Sequence, residues 1–238
     1  MKIGVIIFHK DIFEIYKKRW VNRCLETIKN QTFQNFKVFE LCYSDTKEQL
    51  WNGSVYYHKP MQNHIYAMNF LLDEAFKTCD VVFNVNLDDC YSINRFKSQL
   101  DEVKKGFSLV SSNFQLLMER NQFIESQIVK KIFTIDPDDN YDVLMNTKIV
   151  YGMDAGVEQK KNHNILAHPV ICYTKGFWER NKYYKVDEIG YEDFNLWKKA
   201  VANGEKISIV NETLLYYRIS SQQISSPKAN NPNSARKP

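Results

Sequence analysis

What this sequence lacks narrows its function before any motif is read. It has no apolar run near the ~18 residues that a membrane-spanning helix requires, and its mean hydropathy is -0.47. A soluble protein with no integral membrane segment is predicted. It also lacks a charge excess: 32 basic and 28 acidic residues are interspersed, for a formal charge of +4. The pI of 8.6 therefore offers no basic footprint for nucleic acid, and that partner is set aside. The five cysteines, Cys24, Cys42, Cys79, Cys90 and Cys172, are odd in number and show no CxxC spacing. They read as reduced core residues, not as a disulfide or zinc framework. The N-terminal run Met1 to Phe8 is too short in apolar residues for a signal peptide and passes straight into His9-Lys10-Asp11. A reducing, cytoplasmic location is expected, which makes Asn52-Gly53-Ser54 and Asn211-Glu212-Thr213 chance glycosylation matches.

What is there is a globular chain of 238 residues, 44% hydrophobic and 14% aromatic, with no shift in composition to divide it. Strand and helix signals alternate in the first half. Ile3 to Phe8 is a continuous β-rich run; Trp20, Val21, Cys24, Leu25 and Ile28 recur at helical spacing; Phe36 to Cys42 and Val55 to His58 are strand-like. Ile65, Met68, Leu72, Ala75 and Phe76 mark a second helix, Val81 to Val85 a further strand, Ile93 to Lys105 a third helix, and Phe107 to Phe114 another strand. Repeated βα units predict an α/β fold with a mostly parallel sheet flanked by helices, which binds ligands at the carboxyl ends of its strands. Residues 115–166 read as an irregular region lining the cleft, with a possible strand at Ile128 to Ile135 and a turn at Asp136 to Asn140. Pro169 to Tyr173 reads as a strand, Thr174 to Asn181 as a short helix, Glu192 to Asn203 as a longer one, and Lys206 to Val210 with Leu214 to Arg218 as two strands of a hairpin. Residues 223–238 have almost no apolar side chains to bury and are expected to be a disordered tail.

Two acidic clusters carry the chemistry. Asn86-Leu87-Asp88-Asp89 follows the strand run Val81 to Val85, and Glu192-Asp193 opens a helix. Carboxylates at a strand exit can hold a divalent cation against phosphate, and a carboxylate across a cleft can take a proton from a nucleophile. Each cluster also has a purely structural reading, since acidic residues are common in loops and are favoured at helix N-termini by the dipole.

Three segments resemble the GT-A glycosyltransferases of the family-2 type. Leu25 to Phe36 is similar to that family's first helix and turn, Val81 to Asp89 to the strand ending in its DxD region, and Gly190 to Trp197 with Leu214-Leu215-Tyr216-Tyr217-Arg218 to its acceptor-side ED motif and the hairpin that follows. The likeness covers about residues 1–115, the nucleotide-sugar-binding half, and 166–222, a smaller mixed acceptor-side half, in a single GT-A domain of residues 1–222. It implies an inverting, metal-dependent transfer of a sugar from a nucleotide-diphosphate-sugar donor, a UDP-sugar being favoured, to a hydroxyl of a saccharide or other acceptor. On that resemblance Asp88 and Asp89 hold Mn2+ or Mg2+, and Asp193 is the general base. Phe8, His9, Tyr43, Asp45, Asn69, Asn86 and Asp89 line the donor site; Glu192, Trp197 and Arg218 lie on the acceptor side. Trp197 also fits an apolar helix face, and His9 a solvated loop side chain.

The chain departs from the family pattern in four places. Asn86 stands where the first DxD aspartate is usual, and Cys42 or Tyr43 where an aspartate commonly meets uracil. Met68 replaces a usual arginine, and Ser220 a metal-binding histidine. A silent nucleotide-sugar-binding module on the same fold is the alternative these departures allow. A nucleotidyltransferase is disfavoured, because Phe8-His9-Lys10-Asp11 is no Gly- and Lys-rich phosphate loop.

Overall fold

The computed structural model describes residues 1–119, 132–134, 142–149 and 164–220. Its centre is β1 (Ile3–His9), a run of branched residues buried on both faces. Side chains alternate across a strand, so Val5 and Ile7 enter one core layer and Ile6 the other. Helix α2 (Lys18–Lys29) places Trp20, Val21, Cys24, Leu25 and Ile28 on one buried stripe, and with α4 (Arg95–Lys104) it covers the Val5 face. Helix α3 (His64–Phe76) covers the Ile6 face with Ile65, Met68, Leu71, Leu72, Ala75 and Phe76. Its start is fixed by Asn63, whose side-chain oxygen accepts from the N–H groups of Ile65 and Tyr66 at 3.0 and 3.2 Å. Leu71 is fully buried here, so Leu71→Ala removes about 2–5 kcal/mol.

The remaining elements are α1 (Ile12–Ile15), β2 (Lys37–Cys42), β3 (Val55–His58), β4 (Val81–Val85), β5 (Cys90–Tyr91), β6 (Leu109–Glu119), β7 (Ile132–Thr134), β8 (Asp142–Ile149), β9 (Cys172–Thr174), α5 (Lys175–Asn181), α6 (Glu192–Ala202) and β10 (Ile207–Arg218). The sheet runs β3-β2-β1-β4-β9-β6-β10-β5, with β8 on β6 and β7 on β8. Along that main path β3, β2, β1, β4, β6 and β10 point the same way, and only β9 and β5 oppose them. The expected mostly parallel α/β sheet is therefore present, and all five cysteines are buried free thiols as expected. No helix among the described residues is long and apolar enough to cross a membrane.

Three expectations about the second half are corrected. The hairpin is one twelve-residue strand, β10, parallel to β6. Its polar Asn211-Glu212, read as a turn, sits at a register irregularity between Val210 and Thr213, where exposed residues bulge without reversing the chain. The strand expected at Pro169 begins later, because a 3-10 turn spans His168–Val170 and Pro169 has no N–H for a ladder. The stretch after 115 is not simply irregular: β6 continues to Glu119 and pairs with β8, and β7 lies within the expected Ile128 to Ile135 run. The turn at Asp136 to Asn140 and the tail at 223–238 lie outside the described residues.

Candidate active site

The co-directed strands end on one side of the sheet, at His9, Cys42, His58, Val85, Glu119 and Arg218. The loop leaving β4 there carries Asp88 and Asp89, 5% and 1% exposed. Asp89 Oδ1 accepts the backbone N–H of Arg218 at 2.8 Å, while its Oδ2 is buried with no hydrogen-bond partner among the described residues. Burial, then the adjacent Asp88 carboxylate, pushes the Asp89 carboxyl well above the usual carboxylate range, against the opposing pull of the Arg218 N–H. Arg218, itself fully buried, donates Nε–H to the Asp88 carbonyl at 2.7 Å and lays its guanidinium over the Trp20 ring at 4.6 Å. Asn86 is held by its neighbours: its N–H donates to Tyr91 Oη at 2.8 Å, and its Oδ1 accepts from Asn84 Nδ2 at 3.2 Å.

These groups fit a divalent cation. The donors are hard carboxylate oxygens, and Asp89 Oδ2 is a buried acceptor still awaiting a partner. Among the described residues no group of three or more His, Cys, Asp or Glu is arranged to hold a metal, so protein donors alone make a sparse set. Such a set suits Mg2+ or Mn2+ sites that are completed by substrate phosphates and water.

The residues expected on the donor side are spread over neighbouring strand ends. Phe8 is half-buried against the α3 layer. Tyr43, just past β2, hydrogen-bonds its N–H to the His9 carbonyl at 2.9 Å, and burial, then Asp11, pushes its hydroxyl up to about 12. Asp11 takes a left-handed backbone with φ 45, a conformation an aspartate tolerates better than most residues. Asp45 is exposed on the following loop. His9 is not a solvated loop side chain: it is the last residue of β1, buried, with Nε2 3.1 Å from Glu40 Oε1. Asn69 spends both ends of its amide on Tyr184, accepting from its N–H at 3.1 Å and donating to its carbonyl at 2.8 Å. That side chain braces α3 against the 182–185 loop.

Of the residues expected on the acceptor side, Glu192 and Asp193 open α6. Asp193 lies in the first turn, where Oδ1 accepts from Phe194 N–H at 2.6 Å and Oδ2 from Asn164 Nδ2 at 3.1 Å. Glu192 Oε1 is 3.3 Å from His64 Nε2, tying the start of α6 to the start of α3, and Glu192 Oε2 accepts from Gly190 N–H. Burial works against the Glu192 charge, yet the His64 hydrogen bond prevails and holds its carboxyl below the usual range. Trp197 is corrected from an acceptor contact to a core residue: it is fully buried against His168, Tyr173, Phe177 and Tyr184. Arg218, also expected on the acceptor side, makes its contacts with the acid loop.

Four residues near these groups escaped the sequence reading. Tyr16 is raised well above its ordinary value by burial, then by the charges of Asp88 and Asp89, and so stands beside the acid loop. Asn84, buried in β4, donates to both Asn86 Oδ1 and the His168 carbonyl at 3.2 Å, linking the acid loop to the turn beneath α6. His168 has a buried Nε2 without a partner, and burial lowers its imidazole pKa against the pull of Asp193 and Glu192. Trp20 was legible only as helix-face core. Two surface cavities, of 260 and 370 Å3, open at the opposite end of the sheet around Gly204 and Met1, away from these groups.

No protein-family model matches the chain, and no curated protein matches it at a significant level. Solved structures do. TarS of S. aureus in complex with UDP-GlcNAc superposes with a TM-score of 0.62 at 14% identity, covering 92% of this chain and 59% of that one. TarS with UDP gives 0.58 at 15%, covering 93% and 61%. The mannosyltransferase PcManGT of Pyrobaculum calidifontis, with GDP-Man and Mn2+, gives 0.57 at 12%, covering 90% and 56%. The chain thus spans about three fifths of the length of each of these structures, and the likeness establishes a GT-A-like fold.

Proposed function

We propose that this chain is an inverting, metal-dependent glycosyltransferase that moves a sugar from a nucleotide-diphosphate-sugar to an acceptor hydroxyl. One observation carries the reading: at the carboxyl end of a GT-A-like sheet, Asp88 and Asp89 lie buried together with one carboxylate oxygen unpartnered, and Asn84 joins their loop to the turn beneath the Asp193 helix. The donor lies across the ends of β1, β2 and β4, beside Phe8, Tyr43 and Asn86. Asp88 and Asp89 would hold the cation, which when bound would offset the charge that gathers on the diphosphate as the glycosidic bond breaks. Asp193 takes the proton of the acceptor hydroxyl; the freed oxygen bonds to the anomeric carbon as the bond to the diphosphate oxygen breaks, inverting that centre. A carboxylate in the first turn of α6 sits in the positive field of the helix N-terminus, which favours the ionised form a base requires. A UDP-sugar is favoured, because the TarS structures hold UDP and UDP-GlcNAc, although PcManGT holds GDP-Man.

The test is a screen of nucleotide sugars with Mn2+, reading release of nucleoside diphosphate and, by NMR, the anomeric configuration of the product. Metal-dependent release from one nucleotide sugar is expected. No release from any donor, with nucleotide binding intact, would leave a binding module in its place.

A further inference from the structure

Four chain segments distant in sequence meet around Trp20. Its indole N–H donates to Glu119 Oε1 at 2.9 Å at the end of β6, and its ring face carries the Arg218 guanidinium at the end of β10. Glu119 is buried and is further gripped by Lys17 and Arg19 from the start of α2. Arg218 in turn fixes the acid loop twice, through its side chain on the Asp88 carbonyl and its backbone N–H on Asp89 Oδ1. A continuous set of contacts thus runs from Glu119 through the indole and the guanidinium to the Asp88–Asp89 peptide. A guanidinium on an aromatic face is held in orientation as well as attracted, and desolvation strengthens both effects. Trp20 is 2% exposed, so this contact is out of water.

We propose that Trp20 is a positioning residue for the metal-binding carboxylates, acting through Arg218; this role presupposes the glycosyltransferase reading above. A residue that served only to fill the core would, when changed, lower stability and leave the cation affinity of the folded protein alone. A positioning residue changes that affinity in protein that remains folded.

The experiment titrates Mn2+ at saturating UDP and reads the rise in melting temperature for wild type, Trp20→Phe and Trp20→Leu, with each variant's ligand-free melting temperature as the folding control. Trp20→Phe keeps a ring face but loses the N–H to Glu119; Trp20→Leu loses both. The Mn2+ midpoint is expected to rise about threefold in the first and about tenfold in the second, the span of a desolvated cation–π contact expressed as a ratio. UDP binding without metal should match wild type. If Trp20→Leu does not fold, Trp20→Phe decides alone. A wild type that responds to Mn2+ beside a folded Trp20→Phe with an unchanged midpoint overturns the positioning role and spares the enzyme reading. A wild type with no Mn2+-dependent UDP response overturns both.

Discussion

Replacing Asp193 by asparagine separates chemistry from architecture, because the structure makes the two effects very different in size. The side chain is not a helix cap: Tyr191 occupies that position, without a side-chain cap bond. Both Asp193 oxygens accept hydrogen bonds, from Phe194 N–H and from Asn164 Nδ2. In Asp193→Asn the amide oxygen keeps Phe194, and the new NH2 group faces Asn164. That partner is exposed and free to turn its own oxygen inward. The structural loss is then the favourable charge in the first turn and the charge assistance it lent to two partly solvated hydrogen bonds, together about 1 kcal/mol. In a chain of this length that is a fall of about 2–4 °C in melting temperature. The catalytic loss is of another order: an amide cannot take the acceptor's proton at neutral pH, so transfer falls by about two to four orders of magnitude. The assay compares transfer rate, UDP affinity with Mn2+ and melting temperature in one preparation. Near-wild-type turnover in Asp193→Asn would refute the base assignment, whatever the other readings show.

The remaining predictions concern charge. Asp88→Ala should abolish the Mn2+-dependent part of the UDP-induced rise in melting temperature; equal metal responses in wild type and variant would remove Asp88 from the site. Asp89→Asn keeps an acceptor for the Arg218 N–H and removes the repulsion with Asp88, so it should raise the ligand-free melting temperature while weakening the Mn2+ response. A lower ligand-free melting temperature would contradict that account. At the far end of the sheet, Glu205 is half-buried and hydrogen-bonded by Arg180, Ser108 and Asn181, which overcome the cost of burial and hold its carboxyl below the usual range. A depressed carboxyl contributes stability that is present above the unfolded value of about 4.3 and is lost as pH falls through the folded one. Glu205→Gln should therefore flatten the acid limb of melting temperature against pH and leave transfer per folded molecule unchanged. The effect should be no more than about 1 kcal/mol, because Arg180 is more than half exposed.

The parts of the fold written in local periodicity were legible, and those set by distant partners were not. Ile3 to Phe8 alternates between two core layers, and Ile65 to Phe76 repeats at helical spacing, so β1 and α3 announce themselves. The acid loop was legible because it follows a short apolar strand directly. In β10, by contrast, Asn211-Glu212 carries the composition of a turn, and only pairing with β6 shows that the chain bulges and continues. His9 looked like a loop residue because nothing local reveals Glu40, a strand away, as its partner. Asn84 and His168 have no signal at all: a buried asparagine inside an apolar strand and a histidine before a proline gain meaning only when their hydrogen bond is seen.

The charges around the acid loop explain why so costly an arrangement persists. Asp88 and Asp89 are buried side by side, where burial and the Asp88 charge raise the cost of ionising Asp89. Beneath them Arg95 is fully buried against the Tyr91 ring at 4.2 Å, with no carboxylate at ion-pair distance among the described residues. It is held instead by carbonyls, chiefly that of Asn84 at 2.6 Å, and by Gln99 Oε1 at 3.1 Å. A core optimised for stability alone would replace such a guanidinium with an apolar side chain. Its field, with that of Arg218, lowers the cost of keeping Asp89 ionised without occupying either Asp89 oxygen with a side-chain ion pair. The two cations thus offset part of the carboxylate repulsion while Oδ2 stays unpartnered, and a loop held in that state has more to gain from a divalent cation than one already satisfied by protein donors.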